Sequence, residues 1–296
     1  MKPLILSLDK EDKLAAEIAK QLDCEEGEMI LRSFPDGETY LDILSTCEDR
    51  RVIIHSSLDH PNDKILPLIF MAETARDLGA KNIGLSAPYL AYMRQDKRFQ
   101  PGEGITANYF AGLLSQYFDW LVTVDPHLHR YHELREIYTI PTDVYHAAKP
   151  IAEWITHNVD KPLIIGPDSE SKQWVTEVAE FANAPYITLE KKRSGDNEVT
   201  ITITDLERFT NHCAVLVDDI ISTGATMAMA CKQLSASGVT SIVCIGIHAV
   251  FSGDAYEHLQ TVGVEQIATC NTICHATNQI DLTEGLAQAI KIKMNR

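Results

Sequence analysis

No stretch of this 296-residue chain approaches the roughly 20 consecutive apolar residues of a membrane span. The opening "MKPLILSLDKEDK" reaches acids too soon for a secretory signal, and a cytoplasmic protein is expected. Cysteines are few and unframed: the seven, at 24, 47, 213, 231, 244, 270 and 274, form no disulfide pattern, as expected where thiols stay reduced. Cys270, Cys274 and His275 have poor zinc spacing, and no second pair answers them. Positive charge is short, with 26 Lys and Arg against 42 Asp and Glu. The resulting net charge of −16 repels phosphate at long range, which disfavours nucleic acid and anionic membranes as partners. Gly/Ser-rich linkers are also missing.

What remains is a chain with 45% apolar residues, enough to fill the cores of one large or two ordinary domains. Short apolar or β-branched runs read as strands at 3–8, 51–57, 82–88, 120–125, 162–168, 214–219 and 241–249. Helical patterns occupy 10–22, 64–79, 171–183 and 225–238. This alternation is the signature of parallel sheets joined by crossover helices. "LVTVDP" and "VLVDDI" both end an apolar strand on aspartate, and two helix–glycine–strand passages repeat each other. A duplicated doubly wound domain is the expectation, with halves meeting near 140–150, where "YTIPTDVYHAAKP" breaks the pattern.

Ligands of open parallel sheets bind at the carboxyl ends of strands. In "VDDIISTGAT" (217–226), Ser222, Thr223, Gly224, Ala225 and Thr226 offer hydroxyls and backbone N–H groups at a helix start, an anion nest suited to a monophosphate. Asp218 and Asp219 would repel a phosphate and suit sugar hydroxyls or a metal ion, so the ten residues together describe a ribose phosphate. An N-capped helix with solvated acids is the plainer reading of the same residues. "VDPHLHRYHEL" clusters Asp125, His127, His129 and His132, candidates either for a divalent metal or for a solvated helix start. "IIGPDSES" ends another strand on Asp168. Lys191, Lys192 and Arg193, and separately Arg94, Lys97 and Arg98, concentrate cations in polar loops of an acidic chain. Such loops suit a lid over a polyphosphate, or are simply solvated.

Six segments in order, "FPDGE" (34–38), "RQD" (94–96), "DPH" (125–127), "GPD" (166–168), "KKR" (191–193) and "VDDIISTGAT", resemble the ribose-phosphate diphosphokinase (5-phosphoribosyl 1-diphosphate synthetase) family over nearly the whole chain. The resemblance implies an α/β protein of two similar doubly wound parallel-sheet domains of phosphoribosyltransferase type, expected at 1–145 and 146–296. It further implies magnesium-dependent transfer of the diphosphate of ATP to ribose 5-phosphate in a homo-oligomer. Asp36, Gly37 and Glu38 would reach the adenine of an ATP bound by a neighbouring subunit, while Arg94 and Gln95 would also contact ATP. Phe34 would stack on adenine or serve as a core aromatic. By the same resemblance His127 and Asp168 hold magnesium, Lys191 and Arg193 stabilise the transferring group, and Asp218, Asp219 and Ser222 to Thr226 cradle ribose 5-phosphate. Better-known members carry an acid at Ser222, a leucine at Pro126 and basic residues where "SGDNEV" follows Arg193, and this chain looks closer to the shorter archaeal-type branch. Two rival readings are a phosphoribosyltransferase that consumes the activated sugar and a catalytically silent regulatory homologue.

Overall fold

The computed structural model describes residues 1–9, 12–168, 171–194, 198–202, 206–209 and 211–295, with side chains at those positions except 173, 190–202, 206 and 207. The chain forms two compact units, Met1–Tyr145 with Thr283–Arg296, and His146–Leu282.

In the first unit β1 (Leu4–Ser7), α1 (Lys13–Leu22), β2 (Glu25–Glu26), β3 (Met29–Ser33), β4 (Thr39–Ile43), β5 (Arg51–His55), α2 (Pro61–Asp77), β6 (Asn82–Ala87), α3 (Thr106–Tyr117), β7 (Trp120–Val124) and β8 (Thr142–Tyr145) follow in order. The second unit runs α4 (Ala148–Asn158), β9 (Pro162–Gly166), α5 (Lys172–Ala182), β10 (Tyr186–Thr188), β11 (Glu190–Ser194), β12 (Glu198–Thr202), β13 (Cys213–Ile221), α6 (Ala225–Ala236), β14 (Ile242–Ala249), α7 (Ala255–Thr261), β15 (Gln266–Cys270) and β16 (Asn278–Ile280). The last helix, α8 (Thr283–Met294), packs on α1, β7 and β8 and belongs to the first unit. This corrects the expected 146–296 domain: burial of Leu286, Ala287 and Ile290 fixes where the helix docks, and its place after β16 does not.

Each unit holds a six-stranded parallel sheet, ordered β2-β1-β5-β6-β7-β8 in one and β10-β9-β13-β14-β15-β16 in the other, plus an antiparallel two-stranded ribbon, β3-β4 or β11-β12. The central strands are buried on both faces, which explains why "VII" in β5 and "AVLV" in β13 run apolar without alternation. The registers also correspond. Leu4, first in β1, pairs with Val52, and Leu163, second in β9 and likewise preceded by a proline, pairs with Ala214. Counting along both strands sets Ser56 and Ser57 of the first unit where the second carries Asp218 and Asp219.

Where the second unit has acids late in β13, the first has a polar network at the end of the corresponding strand β5. Buried His55 places Nδ1 3.0 Å from Ser86 Oγ, and its Nε2 lies 3.3 Å from Asp12 Oδ2. Asp12 meanwhile caps α1, its Oδ1 accepting from the N–H groups of Leu14 and Ala15. Burial lowers the imidazole pKa and the Asp12 charge opposes that shift. Polar groups tied to one another in this way offer little to a ligand.

Candidate active site

The ribose-phosphate candidate sits at the end of β13. This strand continues two residues past the expected 214–219, because Ile220 and Ile221 keep pairing with His248 and Ala249 of β14. Asp219 is buried and Asp218 half-buried, and the Asp219 N–H donates to Asp218 Oδ1 at 3.1 Å. Burial, and then the charges of Asp219 and Asp168, push the Asp218 carboxyl well above the usual carboxylate range. Beyond the strand, backbone bonds from Phe251 N–H to Ile221 O (2.8 Å) and Ser252 N–H to Ser222 O (2.9 Å) brace the turn. The hydroxyls of Ser222 and Ser252 lie 3.1 Å apart, and Thr223 Oγ1 accepts from Ala225 N–H at 3.4 Å.

Gly224 caps α6 at φ +69°, a left-handed conformation. A Cβ there would stand 3.3 Å from Leu259 Cγ and 3.4 Å from the Ala255 carbonyl oxygen. Exposed Thr223 and Ala225 and half-buried Thr226 complete the turn, so the first N–H groups of a three-turn helix border an open, hydroxyl-lined surface. Gly224→Ala is expected to cost about 1–2 kcal/mol in unfolding free energy from the positive φ alone. Denaturant titration checks it, and a loss below a few tenths of a kcal/mol would contradict the strain argument.

Asp168 follows β9, the strand beside β13, and is half-buried. Its Oδ1 accepts from Ser171 N–H at 3.3 Å, and Ser171 Oγ donates back to the Asp168 carbonyl at 2.7 Å, just before α5. Gly166 leaves room for this hydroxyl, since a Cβ would lie 2.5 Å from Ser171 Oγ. Lys191 and Arg193 lie on β11, opposite Ile201 and Val199 of β12. Their side chains, and residues 195–197, fall outside the described residues.

In the first unit "FPDGE" is the tip of the β3-β4 ribbon. Gly37 at φ +93°, with bonds from Phe34 N–H to Glu38 O (2.7 Å) and Gly37 N–H to Phe34 O (2.9 Å), turns the chain. Phe34 is 39% exposed, which removes its reading as a core aromatic. Its ring meets Tyr40 edge-on at 5.9 Å, and the Arg32 guanidinium stands 4.8 Å and 4.2 Å from the two ring centroids. Sequence reading passes over Arg32 and Tyr40; strand alternation from Phe34 was the available signal. Arg94 is exposed, and Gln95 is tied to the start of α3 through Thr106 Oγ1 (3.0 Å) and Ala107 N–H (3.2 Å). Asp125, buried at φ +29°, strains the backbone just before half-buried His127, whose ring meets His129 at 4.2 Å. His132 is exposed. Among the described residues no group of three or more His, Cys, Asp or Glu could hold a metal ion, and no helix is long and apolar enough to cross a membrane.

Two parallel-sheet units of one strand order, the second with paired acids before a hydroxyl-lined helix start, define an α/β protein of phosphoribosyltransferase type. Residues 134–273 match the phosphoribosyl transferase domain, and residues 3–117 match the N-terminal domain of ribose phosphate pyrophosphokinase. A ribose-phosphate pyrophosphokinase of Saccharolobus solfataricus is 35% identical over 264 residues, 88% of this chain and 89% of that protein. That of Methanothermobacter thermautotrophicus is 32% identical over 289 residues, 97% of this chain and all 100% of its own. The crystal structure of phosphoribosylpyrophosphate synthetase from Mycobacterium smegmatis shares the fold, with a TM-score of 0.86 over 99% of both chains at 23% identity. The chain belongs to the ribose-phosphate pyrophosphokinase family.

Proposed function

We propose that the protein transfers the diphosphate of ATP to the anomeric hydroxyl of ribose 5-phosphate, giving 5-phosphoribosyl 1-diphosphate and AMP. The observation that carries this reading is the joining of two devices at the end of β13, paired carboxylates at 218–219 and a hydroxyl-lined helix start at 222–226. Backbone N–H groups and the dipole of α6 favour the 5-phosphate, while Asp218 and Asp219 accept hydrogen bonds donated by sugar hydroxyls. "FPDGE" and Arg94–Gln95 supply the nucleotide side, which a transferase consuming the product has no need of. Retention of Lys191, Arg193, His127 and Asp168 argues against a silent homologue.

Magnesium fits the donor set. Asp168, Asp218 and Asp219 concentrate negative charge that a divalent cation relieves. Mg²⁺ usually takes one or two carboxylates and completes its shell from substrate phosphates and water, which these acids satisfy. Asp168 is the residue of the second unit that would hold it and His127 the candidate of the first, the carboxylate being the better match for a hard cation. When bound, the ion supplies charge neutralisation for phosphoryl transfer. The chain's own contribution is alignment: the anomeric oxygen is held in line with the β-phosphorus, and Lys191 and Arg193 balance charge as the bond to AMP breaks, so no protein nucleophile is required.

A homo-oligomer is part of the proposal, because the exposed tip with Phe34, Asp36, Gly37 and Glu38 is the segment that would reach an ATP bound by a neighbouring subunit. A cytoplasmic location agrees with seven free cysteines. Purified protein given Mg²⁺, ATP and ribose 5-phosphate is expected to release AMP in step with 5-phosphoribosyl 1-diphosphate. Folded protein that forms no AMP above background would overturn the activity. AMP formed without the activated sugar would reduce it to ATP hydrolysis.

A further inference from the structure

Asp96 completes the "RQD" segment, yet it does not face solvent: the residue is 6% exposed, and its Oδ2 has no hydrogen-bond partner among the described residues. Its charge is met from one side, by Arg130 Nη1 at 2.5 Å from Oδ1. The Arg130 side chain is 41% exposed, so it fills no core, and its guanidinium also lies 5.5 Å from the Phe99 ring, which Lys97 Nζ approaches at 5.0 Å. The next residue extends the contact. Tyr131 OH donates to Asn108 Oδ1 at 2.8 Å and stands 3.5 Å from the Asp96 carbonyl. Glu103 holds the far end of the loop, its Oε2 accepting from the N–H groups of Phe99 (2.7 Å) and Gln100 (3.0 Å). Residues 130–131 therefore clamp the 95–99 segment and the first turn of α3, only three positions after His127.

We propose that Arg130 is a positioning residue for ATP: by neutralising buried Asp96 it fixes Arg94 and Gln95 relative to the segment that carries His127. A buried carboxylate deprived of its one cation must find water or a proton, and either outcome moves Asp96 and with it the two residues before it. The exposed Arg94 and the bonded Gln95 are the groups such a shift would misplace. This inference rests on the ATP-binding role proposed above for Arg94 and Gln95.

The test compares wild type, Arg130→Ala, Arg130→Lys and the double variant Asp96→Asn/Arg130→Ala. ATP and ribose 5-phosphate affinities are measured by calorimetry on the intact protein, KM and kcat by AMP release, and loop order by tryptic cleavage after Arg94, Lys97 and Arg98. Arg130→Ala is expected to weaken ATP at least tenfold, leave ribose 5-phosphate within twofold and speed cleavage severalfold, with partial recovery in Arg130→Lys. The double variant, relieved of the unpaired charge, should regain thermal stability without regaining ATP affinity, which separates positioning from folding. An ATP affinity lowered less than threefold, an equal loss for both ligands, or recovery of ATP affinity together with stability would overturn the proposal. Wild type that binds ATP but forms no AMP would sink the proposed reaction and leave the binding comparison to judge Arg130.

Discussion

Lys191→Ala is expected to lower turnover about a thousandfold or more while ribose 5-phosphate still binds within a few-fold of wild type. The transferring phosphoryl group spreads charge over its oxygens as the bond to AMP lengthens, and a cation that meets this charge only then acts on kcat and not on ground-state affinity. Lys191 and Arg193 occupy alternate positions on β11, a strand of a ribbon separate from the six-stranded sheet. The phosphate turn at 222–226 belongs to β13 and α6, so deleting a side chain on the ribbon leaves that turn intact. Single-turnover AMP formation, with calorimetric binding of ribose 5-phosphate, makes the measurement. Turnover within tenfold of wild type would remove Lys191 from the reacting centre. Lost sugar-phosphate binding with normal turnover of each bound complex would reassign it to substrate capture.

The central strands were the legible part of the fold. Val, Ile and Leu runs buried on both faces announce themselves, and the runs beside the candidate residues give way to an acid: Asp125, Asp168 or Asp218. Edge and ribbon strands were not legible. β2 is two glutamates, and β3 mixes Arg32 and Ser33 with apolar residues on an exposed hairpin that buries too little to leave an alternation. α3 is a different case, since Ala107, Phe110, Ala111 and Leu114 repeat at helical spacing and the pattern was open to reading. α2 begins at Pro61, three residues before the expected start, because proline is well suited to a first helical turn although it reads as a breaker. The docking of α8 on the first unit was beyond reach, because contacts with segments as remote in sequence as α1, β7 and β8 leave no local trace. At the site, residue types were legible and pairings were not. Nothing in "RQD" or "LHRY" says that Asp96 is buried against Arg130.

The registers show why the residues proposed to hold the sugar phosphate occur in one unit only. Ser56 and Ser57 stand where the second unit has Asp218 and Asp219. α2 then opens with His60 in a left-handed cap, as α6 opens with Gly224, but Pro61 removes one N–H and Asp63 adds negative charge in the first turn. Asp59 pairs with Lys64 at 2.5 Å, and Lys64 also donates to the Ser57 carbonyl. A helix start with a missing donor and acids beside it is a poorer place for an anion than the start proposed to hold the 5-phosphate in the second unit. On that proposal one topology supplies a binding copy and a structural one. The difference lies in a few residues after one strand.

Asp218→Asn should separate what the site gives to stability from what it gives to binding. With its carboxyl pKa raised in the folded protein, Asp218 binds its proton more tightly folded than unfolded, so stability is greatest below the unfolded pKa and falls as pH rises through the folded one. Near neutral pH the ionised group therefore opposes folding, pressed by burial and by Asp219 and Asp168. The isosteric amide relieves that repulsion, and ligand-free Asp218→Asn is expected to melt a few degrees higher than wild type at pH 7, roughly 2–4 °C for each kcal/mol relieved. The gap should close at acidic pH, where wild type also carries a neutral group. Ribose 5-phosphate responds in the opposite direction. Sugar hydroxyls that donate to a carboxylate favour its ionised form, so wild-type affinity should strengthen as pH rises through the Asp218 transition, while the amide binds at least tenfold more weakly and without that pH dependence. Thermal scans and calorimetry across the pH range read both effects. Equal melting temperatures at pH 7 would remove the charge repulsion, and unchanged affinity for the sugar phosphate would remove Asp218 from the site.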